Sequence, residues 1–351
     1  MPAPLFAELD AVVQAALGTR FSAAVVRVEA GGAVRFERAY GTIRRDDDAP
    51  EVFVDARFDI ASLTKVFVAT VALRTCARGL LALDAPLTGI VPEWRDTARA
   101  TITLRRILAH DAGFASGADY RRLFDRNVER FALIEEPLVA EPGARVIYSD
   151  LGFIALGVIL SRAHDRALKQ VLETEFTSLG LHMTRFGTNP RERDSVPATE
   201  IDAWRGLVHG EVHDEKAYVQ GGVCGHAGLF ACARDVARLG ELYLAPAHGR
   251  PTPLAPADVA LFAQATTEQA CDPILRRGLG WALKTSDENS CGARMSPATF
   301  GHTGFTGTCL WVDPQRDLSV TLLTNAVHMG RSDLRLVRAA VCDAAVAEFA
   351  R

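Results

Sequence analysis

Lysine is scarce in this chain: only four of its 39 basic residues are lysines, and the rest are arginines. There is no basic run and no basic patch interleaved with aromatics. Together with a net charge of -4, that argues against a nucleic-acid or membrane-surface binder. Long apolar runs are missing too. The longest, Leu151 to Leu160, contains two glycines and is too short to span a bilayer. The first ten residues lack a positively charged stretch and carry acids where a leader's apolar region would sit, which predicts a cytosolic protein. The 7 cysteines are odd in number and show no CxxC pair, so a disulfide scaffold is excluded and small buried thiols are expected. No internal repeat or low-complexity linker occurs.

What remains is ordinary for a globular enzyme: 48% hydrophobic and 23% charged residues in a chain of 351. That length suits one large domain, or two that share a cleft. Leu5, Leu9, Val12, Val13 and Ala16 share one helical face, and Gly18 stops a helix over residues 5–17. Phe21 to Glu29 and Ala33 to Tyr40 alternate as strands around Gly31-Gly32, a hairpin signal. From Ser62 the chain reads as mostly helical, interrupted by prolines. Strand signals return over 278–284, 309–312 and 318–324, before a last helix over 332–349. Strands at both ends with helices between predict an α/β (α+β) fold. Residues 1–60 and 275–351 would build one antiparallel-sheet lobe, 61–274 a helix-rich lobe, and the site would lie between them. The two lobes would form one catalytic domain. The segment 115–136, rich in arginine and aromatics, is expected to border that cleft.

Three segments carry chemistry. Ser62 opens the apolar helical run after Phe58-Asp-Ile-Ala-Ser-Leu-Thr-Lys65, and Lys65 sits one turn later on the same face. A serine hydroxyl needs a base before it can act as a nucleophile. Lysine serves as one only when its pKa falls from about 10.4 towards neutrality, through burial and a helix N-terminus. Lys65 is therefore expected to be neutral before attack. The same N-terminus offers the Ser62 N–H to an oxyanion. The plain alternative is a helix cap followed by an exposed first-turn lysine. No other lysine in the chain has a serine three residues before it.

In the second segment, Tyr148-Ser-Asp150 precedes the helix from Leu151. Tyr148 suits proton transfer near an ammonium, or plain packing, and Asp150 suits either helix capping or orienting Lys65. The third is Phe300-Gly-His-Thr-Gly-Phe-Thr-Gly307. Glycines clustered in a strand mark a bend or a close backbone approach. Such a strand would line the cleft, with the Phe305 N–H completing an oxyanion hole and His302 and Thr303 touching substrate. His209, His213, Cys224 and His226 lack both the H-E-x-x-H order and a second cysteine at zinc spacing. They read as hydrogen-bonded structural residues, and no metal or cofactor is expected. Gly221 to Gly228 lacks the Lys-Ser/Thr of a phosphate loop. Cys309 reads as packing, and Cys224 has no evident partner order for a nucleophile.

Taken together, Ser62-Leu-Thr-Lys65, Tyr148-Ser-Asp150 and His302-Thr-Gly304 resemble the three motifs of the serine β-lactamase and penicillin-binding-protein superfamily. The branch they are most similar to holds class C enzymes and family VIII esterases. Ile102 to Phe114, Tyr148 to Gly157 and Val320 to Asn325 are similar to that family's flanking stretches. The resemblance implies a cofactor-free hydrolase that forms an acyl-enzyme on Ser62, with Lys65 and Tyr148 moving protons. Ser62 and Phe305 would hold the oxyanion, and Asp150, His302, Thr303, Gly304 and His213 would bind substrate or tune the site.

Two departures matter. Asp150 stands where β-lactamases carry Asn, and His302 where they carry Lys. An added negative charge and a lost cation both argue against efficient β-lactam hydrolysis. Gly210 to Glu215 and Gly221 to Phe230 look like stretches in relatives that act on peptidoglycan, including a muramyl-L-alanine amidase and carboxypeptidases. The expected partner is a small molecule or peptide with an amide or ester bond. Short-ester carboxylesterase, β-lactamase and a non-turning-over sensor module are the rivals.

Overall fold

A first helix, α1 (Ala7–Ala16), precedes two strands, β1 (Ala23–Ala30) and β2 (Ala33–Gly41), which Gly31-Gly32 joins as the pattern predicts. The computed structural model describes residues 6–124, 127–270, 276–286 and 289–349; Leu5 of the expected first helix lies outside them. Next come β3 (Phe58–Asp59), a 3₁₀ turn at Ala61–Leu63, and the helix α2 (Thr64–Ala77). The helices α3 (Leu104–Leu108), α4 (Val128–Arg130), α5 (Asp150–His164) and α6 (Leu168–Leu179) follow. After them run β4 (Arg185–Phe186), β5 (Glu200–Asp202), β6 (Gly206–Val208), α7 (Glu215–Val219) and β7 (Leu229–Ala231). The chain continues through α8 (Ala233–Ala247), α9 (Pro256–Ala265), β8 (Ala282–Leu283) and β9 (Phe300–Thr303). It closes with β10 (Cys309–Asp313), β11 (Leu318–Thr324) and α10 (Arg335–Phe349).

The main sheet has the order β2-β1-β11-β10-β9-β8 and is antiparallel throughout. Its inner strands are apolar on both faces, so each face needs a cover. Val26, Val28, Val320, Leu322 and Trp311 pack with Leu9 and Val13 of α1 and Val341 of α10. Val25, Leu323, Leu310 and Val312 join the second core, which includes Val236 and Leu239 of α8. Here the structure departs from the expected division at 274/275. Helix α8 lies inside the stretch assigned to the helical lobe, yet it covers the sheet, because a sheet apolar on both faces demands a second layer. The strand expected over 278–284 shrinks to β8, since the Gly278 N–H closes a turn onto the Trp281 carbonyl at 2.9 Å.

Helix α2 is buried from Thr64 to Thr75, as befits a helix apolar all round. It runs through the middle of the larger core, beside α5, whose residues Leu151 to Leu160 are also buried. Two small sheets, β3-β7-β4 and β5-β6, sit outside the main one. Among the described residues no helix is long and apolar enough to cross a membrane.

One amide ties the sheet to the rest. Asn325 Oδ1 accepts from the N–H groups of Ser22 (3.1 Å) and Ala23 (2.9 Å). Its Nδ2 donates to Ser22 Oγ (3.0 Å) and the Ala198 carbonyl (2.9 Å). Asn325→Leu strands two buried N–H donors and is expected to cost about 2–4 kcal/mol. Urea unfolding measures this, and an unmoved midpoint with unchanged slope would refute the staple.

Candidate active site

Ser62 sits on a turn that the backbone adopts only under constraint. Ala61 just before it has φ 45°, a left-handed conformation that costs a non-glycine residue about 1–3 kcal/mol. Asp59 holds it: Oδ1 accepts the Ala61 N–H at 2.8 Å and Oδ2 the His213 N–H at 2.7 Å. Burial pushes the Asp59 carboxyl above its ordinary range, against those two donors. From the other side, Thr306 Oγ1 donates to the Asp59 carbonyl (2.8 Å) and Thr308 Oγ1 to that of Ile60 (3.2 Å). Gly304 allows this approach, because a Cβ there would lie 2.4 Å from the Ile60 oxygen.

One turn further on, Lys65 has no exposed surface. Its Nζ donates to Ser62 Oγ (3.0 Å) and the His226 carbonyl (3.0 Å), and pairs with Asp150 Oδ1 at 2.8 Å. Burial works against the ammonium, but Asp150 and Tyr148 outweigh it, and the pKa rises. This overturns the expectation of a neutral Lys65: a carboxylate in contact more than offsets desolvation. Asp150, for its part, stays below the ordinary carboxylate range despite its burial, held there by Lys65, His226 and Lys216. Of the two roles open to Asp150, orienting Lys65 is the one observed. The cap of α5 is Ser149, whose Oγ accepts the Gly152 N–H at 3.0 Å.

Behind the pair runs a chain of alternating charges. Lys216 Nζ bridges Asp150 Oδ2 (3.2 Å) and Asp214 Oδ2 (3.1 Å). Asp214 Oδ1 meets His226 Nε2 at 2.8 Å, and His226 Nδ1 meets Cys224 Sγ at 2.9 Å. Although burial opposes it, contact with Cys224 and Asp214 raises the His226 imidazole to about 10. Cys224 thus has the partner order its sequence position concealed, but it is buried and is not among the residues lining the cavity. Asp150, Asp214 and His226 bring three ligand-type atoms within 4.8 Å of one another, and the Lys216 ammonium already bridges the two carboxylates. His209 instead hydrogen-bonds the Val196 carbonyl (2.8 Å), apart from this group.

Ser62, Tyr148, His302, Thr303, Gly304 and Phe305 line one cavity of about 660 Å³. The Tyr148 ring has Lys65 Nζ 4.9 Å and Arg277 Cζ 5.3 Å from its centroid, and rests against His110 at 4.7 Å. His302 is buried, and its Nδ1 meets the Thr303 carbonyl at 2.8 Å. Because a carbonyl only accepts, Nδ1 carries the proton. Burial and the charges of Arg277 and Lys65 push His302 down to about 3, so it is neutral. Neither the Ser62 nor the Phe305 backbone N–H donates to an acceptor among the described residues.

His213 does not reach the cavity, contrary to expectation. Its ring is buried and stacks behind Phe305 at 5.6 Å, so of the two only Phe305 lines the cavity. In the 115–136 segment, Ala115 and Ser116 brace the start of α5 through Ser149 Oγ (2.5 Å) and the Asp150 N–H (2.7 Å). None of its described residues lines the cavity. Cys309 is buried on β10, with its thiol pushed up to about 11. Lys216 and Arg277 went unnoticed in the sequence. Their only signal was composition: Lys216 is one of four lysines and stands beside the segment around His213.

A family model described as Beta-lactamase matches residues 9–343. A Salmonella agona protein named "Putative D-alanyl-D-alanine carboxypeptidase" is 31% identical over 307 residues, covering 77% of this chain and 69% of that one. The N-acetylmuramyl-L-alanine amidase of Bacillus subtilis is 29% identical, covering 92% and 81%. Among solved structures, EstCE1, a hydrolase with promiscuous acyltransferase activity, superposes with a TM-score of 0.78 at 24% identity, covering 97% of each chain. A class C β-lactamase from Rhodobacter sphaeroides gives 0.77 at 18%, covering 98% and 99%.

The charge pattern is directly measurable, since four lysines give four Cε signals. With ¹³C-labelled lysine, the Lys65 signal should stay at its ammonium position past the ordinary 10.5. In Asp150→Asn it should titrate at lower pH, because the raising charge is gone. Titration of wild-type Lys65 near neutrality would refute the ion pair's dominance.

Proposed function

The chain belongs to the beta-lactamase family and is a serine hydrolase, and from that premise we propose an acyl-enzyme on Ser62 formed from a peptidoglycan-derived peptide amide. The observation that carries this reading is Ser62 Oγ, 3.0 Å from a fully buried lysine and on the wall of the cavity. Two relatives' names describe cleavage at an alanine amide, one of them muramyl. They support an amidase or carboxypeptidase type of substrate.

In the proposed sequence Lys65 remains an ammonium and donates to Ser62 Oγ. Tyr148, with cations on two sides of its ring, acts as the base and takes the Ser62 proton as Oγ bonds to the carbonyl carbon. The Ser62 and Phe305 N–H groups hold the oxyanion. As the carbonyl reforms, Tyr148 returns its proton to the departing nitrogen or oxygen. Water then gives its proton to Tyr148 and attacks the acyl carbon, and Tyr148 passes that proton to Ser62 Oγ as the C–Oγ bond breaks, which releases the acid and restores both residues. Asp150 keeps Lys65 in place, and Thr303 and Gly304 line the substrate's path.

A short-ester carboxylesterase is the second reading. It is favoured by neutral His302 at the third motif, where the family usually carries a lysine.

The test is mass spectrometry of a muramyl-L-alanyl-D-isoglutamine digest, run beside Ser62→Ala protein. Wild type alone should release the free dipeptide, and intact-mass spectra should show an adduct that Ser62→Ala lacks. Turnover surviving in Ser62→Ala would remove the nucleophile assignment. An untouched muropeptide beside rapid hydrolysis of p-nitrophenyl esters would select the second reading.

A further inference from the structure

Phe305 is the large apolar residue of a tight turn between two glycines. The Gly304 N–H donates to the Thr308 carbonyl (2.8 Å) and the Gly307 N–H to that of Gly304 (3.0 Å), but no backbone hydrogen bond among the described residues holds Phe305 itself. Glycines leave such a turn little stiffness of its own. The Phe305 ring is 55% exposed, yet two groups lie against it. The His213 imidazole stacks on it at 5.6 Å with 25° between the planes, and Arg331 Cζ is 5.5 Å from its centroid. Both lead to one carboxylate. Arg331 donates to Glu200 through two nitrogens, Nε to Oε1 at 2.8 Å and Nη2 to Oε2 at 2.9 Å. The same Oε2 lies 3.7 Å from His213 Nε2. Glu215 Oε1 also accepts from Arg331 Nη2, at 2.7 Å.

A planar guanidinium can take a carboxylate on its fork and an aromatic ring on its face, and Arg331 does both at once. With two carboxylates on it, its charge is answered within the protein, and it serves as a brace. We propose that Glu200 and Arg331 are positioning residues: by fixing the Phe305 ring they hold the Phe305 N–H where the oxyanion develops. This rests on the reading of Ser62 as nucleophile, with the Ser62 and Phe305 N–H groups as the oxyanion donors. Glu200 and Arg331 act through the ring, not on the reacting atoms. The same bracing reaches the other donor. The His213 N–H donates to Asp59 Oδ2, and Asp59 Oδ1 accepts the Ala61 N–H beside Ser62. The ring braced by Glu200 therefore rests on a residue that is hydrogen-bonded to the support of the Ser62 turn. A donor moved off the oxyanion's position costs the transition state more than it costs substrate binding. The signature of a lost brace is thus a fall in kcat.

Replacing the carbonyl oxygen of a substrate by sulfur reads the oxyanion hole, since a thiocarbonyl accepts hydrogen bonds poorly. Wild type should hydrolyse p-nitrophenyl butyrate much faster than its thiono analogue. In Glu200→Gln that preference should shrink roughly tenfold, through kcat with KM little changed. Arg331→Met should do the same, with Arg331→Lys between. In a Phe305→Ala background Glu200→Gln should shrink it no further, because the ring it acts through is gone. A preference left intact in both Glu200→Gln and Arg331→Met overturns the proposal. So does a loss of rate equal on the two substrates, or an undiminished effect of Glu200→Gln when Phe305 is already alanine. If wild type itself does not prefer the oxygen ester, the oxyanion reading fails and takes the brace with it. If Glu200→Gln does not fold, Arg331→Met decides, since that side chain is 47% exposed. If wild type turns over neither ester, affinity for butylboronic acid, which Ser62 would capture as a tetrahedral adduct, reads the same comparison. Roughly tenfold weaker binding by Glu200→Gln is then expected; unchanged affinity overturns the brace, and no adduct on wild type overturns the oxyanion reading together with it.

Discussion

Burying an ammonium ion in a protein interior costs several kcal/mol unless its three N–H bonds and its charge are all answered. At Lys65 they are, by Ser62 Oγ, the His226 carbonyl and Asp150 Oδ1. Those three acceptors come from three separate stretches of chain, so satisfying one lysine fixes how α2, α5 and the loop before β7 meet. The loop comes close enough only because both backbones there are bare: a Cβ on Gly225 would lie 2.1 Å from the Phe153 carbonyl and 3.0 Å from the Gly157 nitrogen. The demand then propagates. Asp150 has a second oxygen to satisfy and takes Lys216, Lys216 takes Asp214, and Asp214 takes His226. Since the His226 carbonyl is itself a Lys65 acceptor, the chain of charges closes on the residue where it began.

The nucleophile is fixed from the opposite direction. The left-handed Ala61 would relax if its neighbours allowed it. The Asp59 carboxylate holds its N–H from within, and two threonine hydroxyls of the β9–β10 connection hold the carbonyls of Asp59 and Ile60 from without. Sheet and helices therefore grip adjacent residues of one turn. A shift of β9 would move the Phe305 N–H and the Ser62 backbone together, which keeps the two candidate oxyanion donors in register. That is a reason for the site to lie at the seam between layers: neither layer alone determines the position of Ser62 relative to Phe305.

What the sequence disclosed and what it withheld divide along the same physical line. Ser62 with Lys65, and Tyr148 with Asp150, are separated by three residues or fewer, so helical spacing and motif resemblance suffice to pair them. The hairpin was legible from alternation around Gly31-Gly32, and the C-terminal strands and the two buried helices from unbroken apolar runs. Lys216, Arg277 and the Cys224–His226–Asp214 order were not, since each owes its role to a partner brought near only by folding. His213 misled for the same reason. It is a neighbour of Asp214 in sequence, but its backbone serves Asp59 while its ring turns behind Phe305. The neutral Lys65 expected from burial failed because desolvation was weighed without the carboxylate that accompanies it. Helix α8 fell on the wrong side of the 274/275 division because helical character alone does not say what a helix packs against.

The aspartate at position 150 also changes meaning once its surroundings are known. Read from the sequence, it adds a negative charge next to the nucleophile, and such a charge would repel an anionic substrate. In the folded chain that charge is consumed: Lys65 and Lys216 each contact one of its oxygens, and His226, a cation with its imidazole raised to about 10, stands behind Asp214. Three cations thus face two carboxylates around it, and screening inside a buried cluster is weak enough for that balance to be felt at the cavity wall. The wall itself carries arginines, and neutral His302 adds nothing negative. Asp150 therefore acts inward, as the counter-ion that lets a lysine be buried beside Ser62.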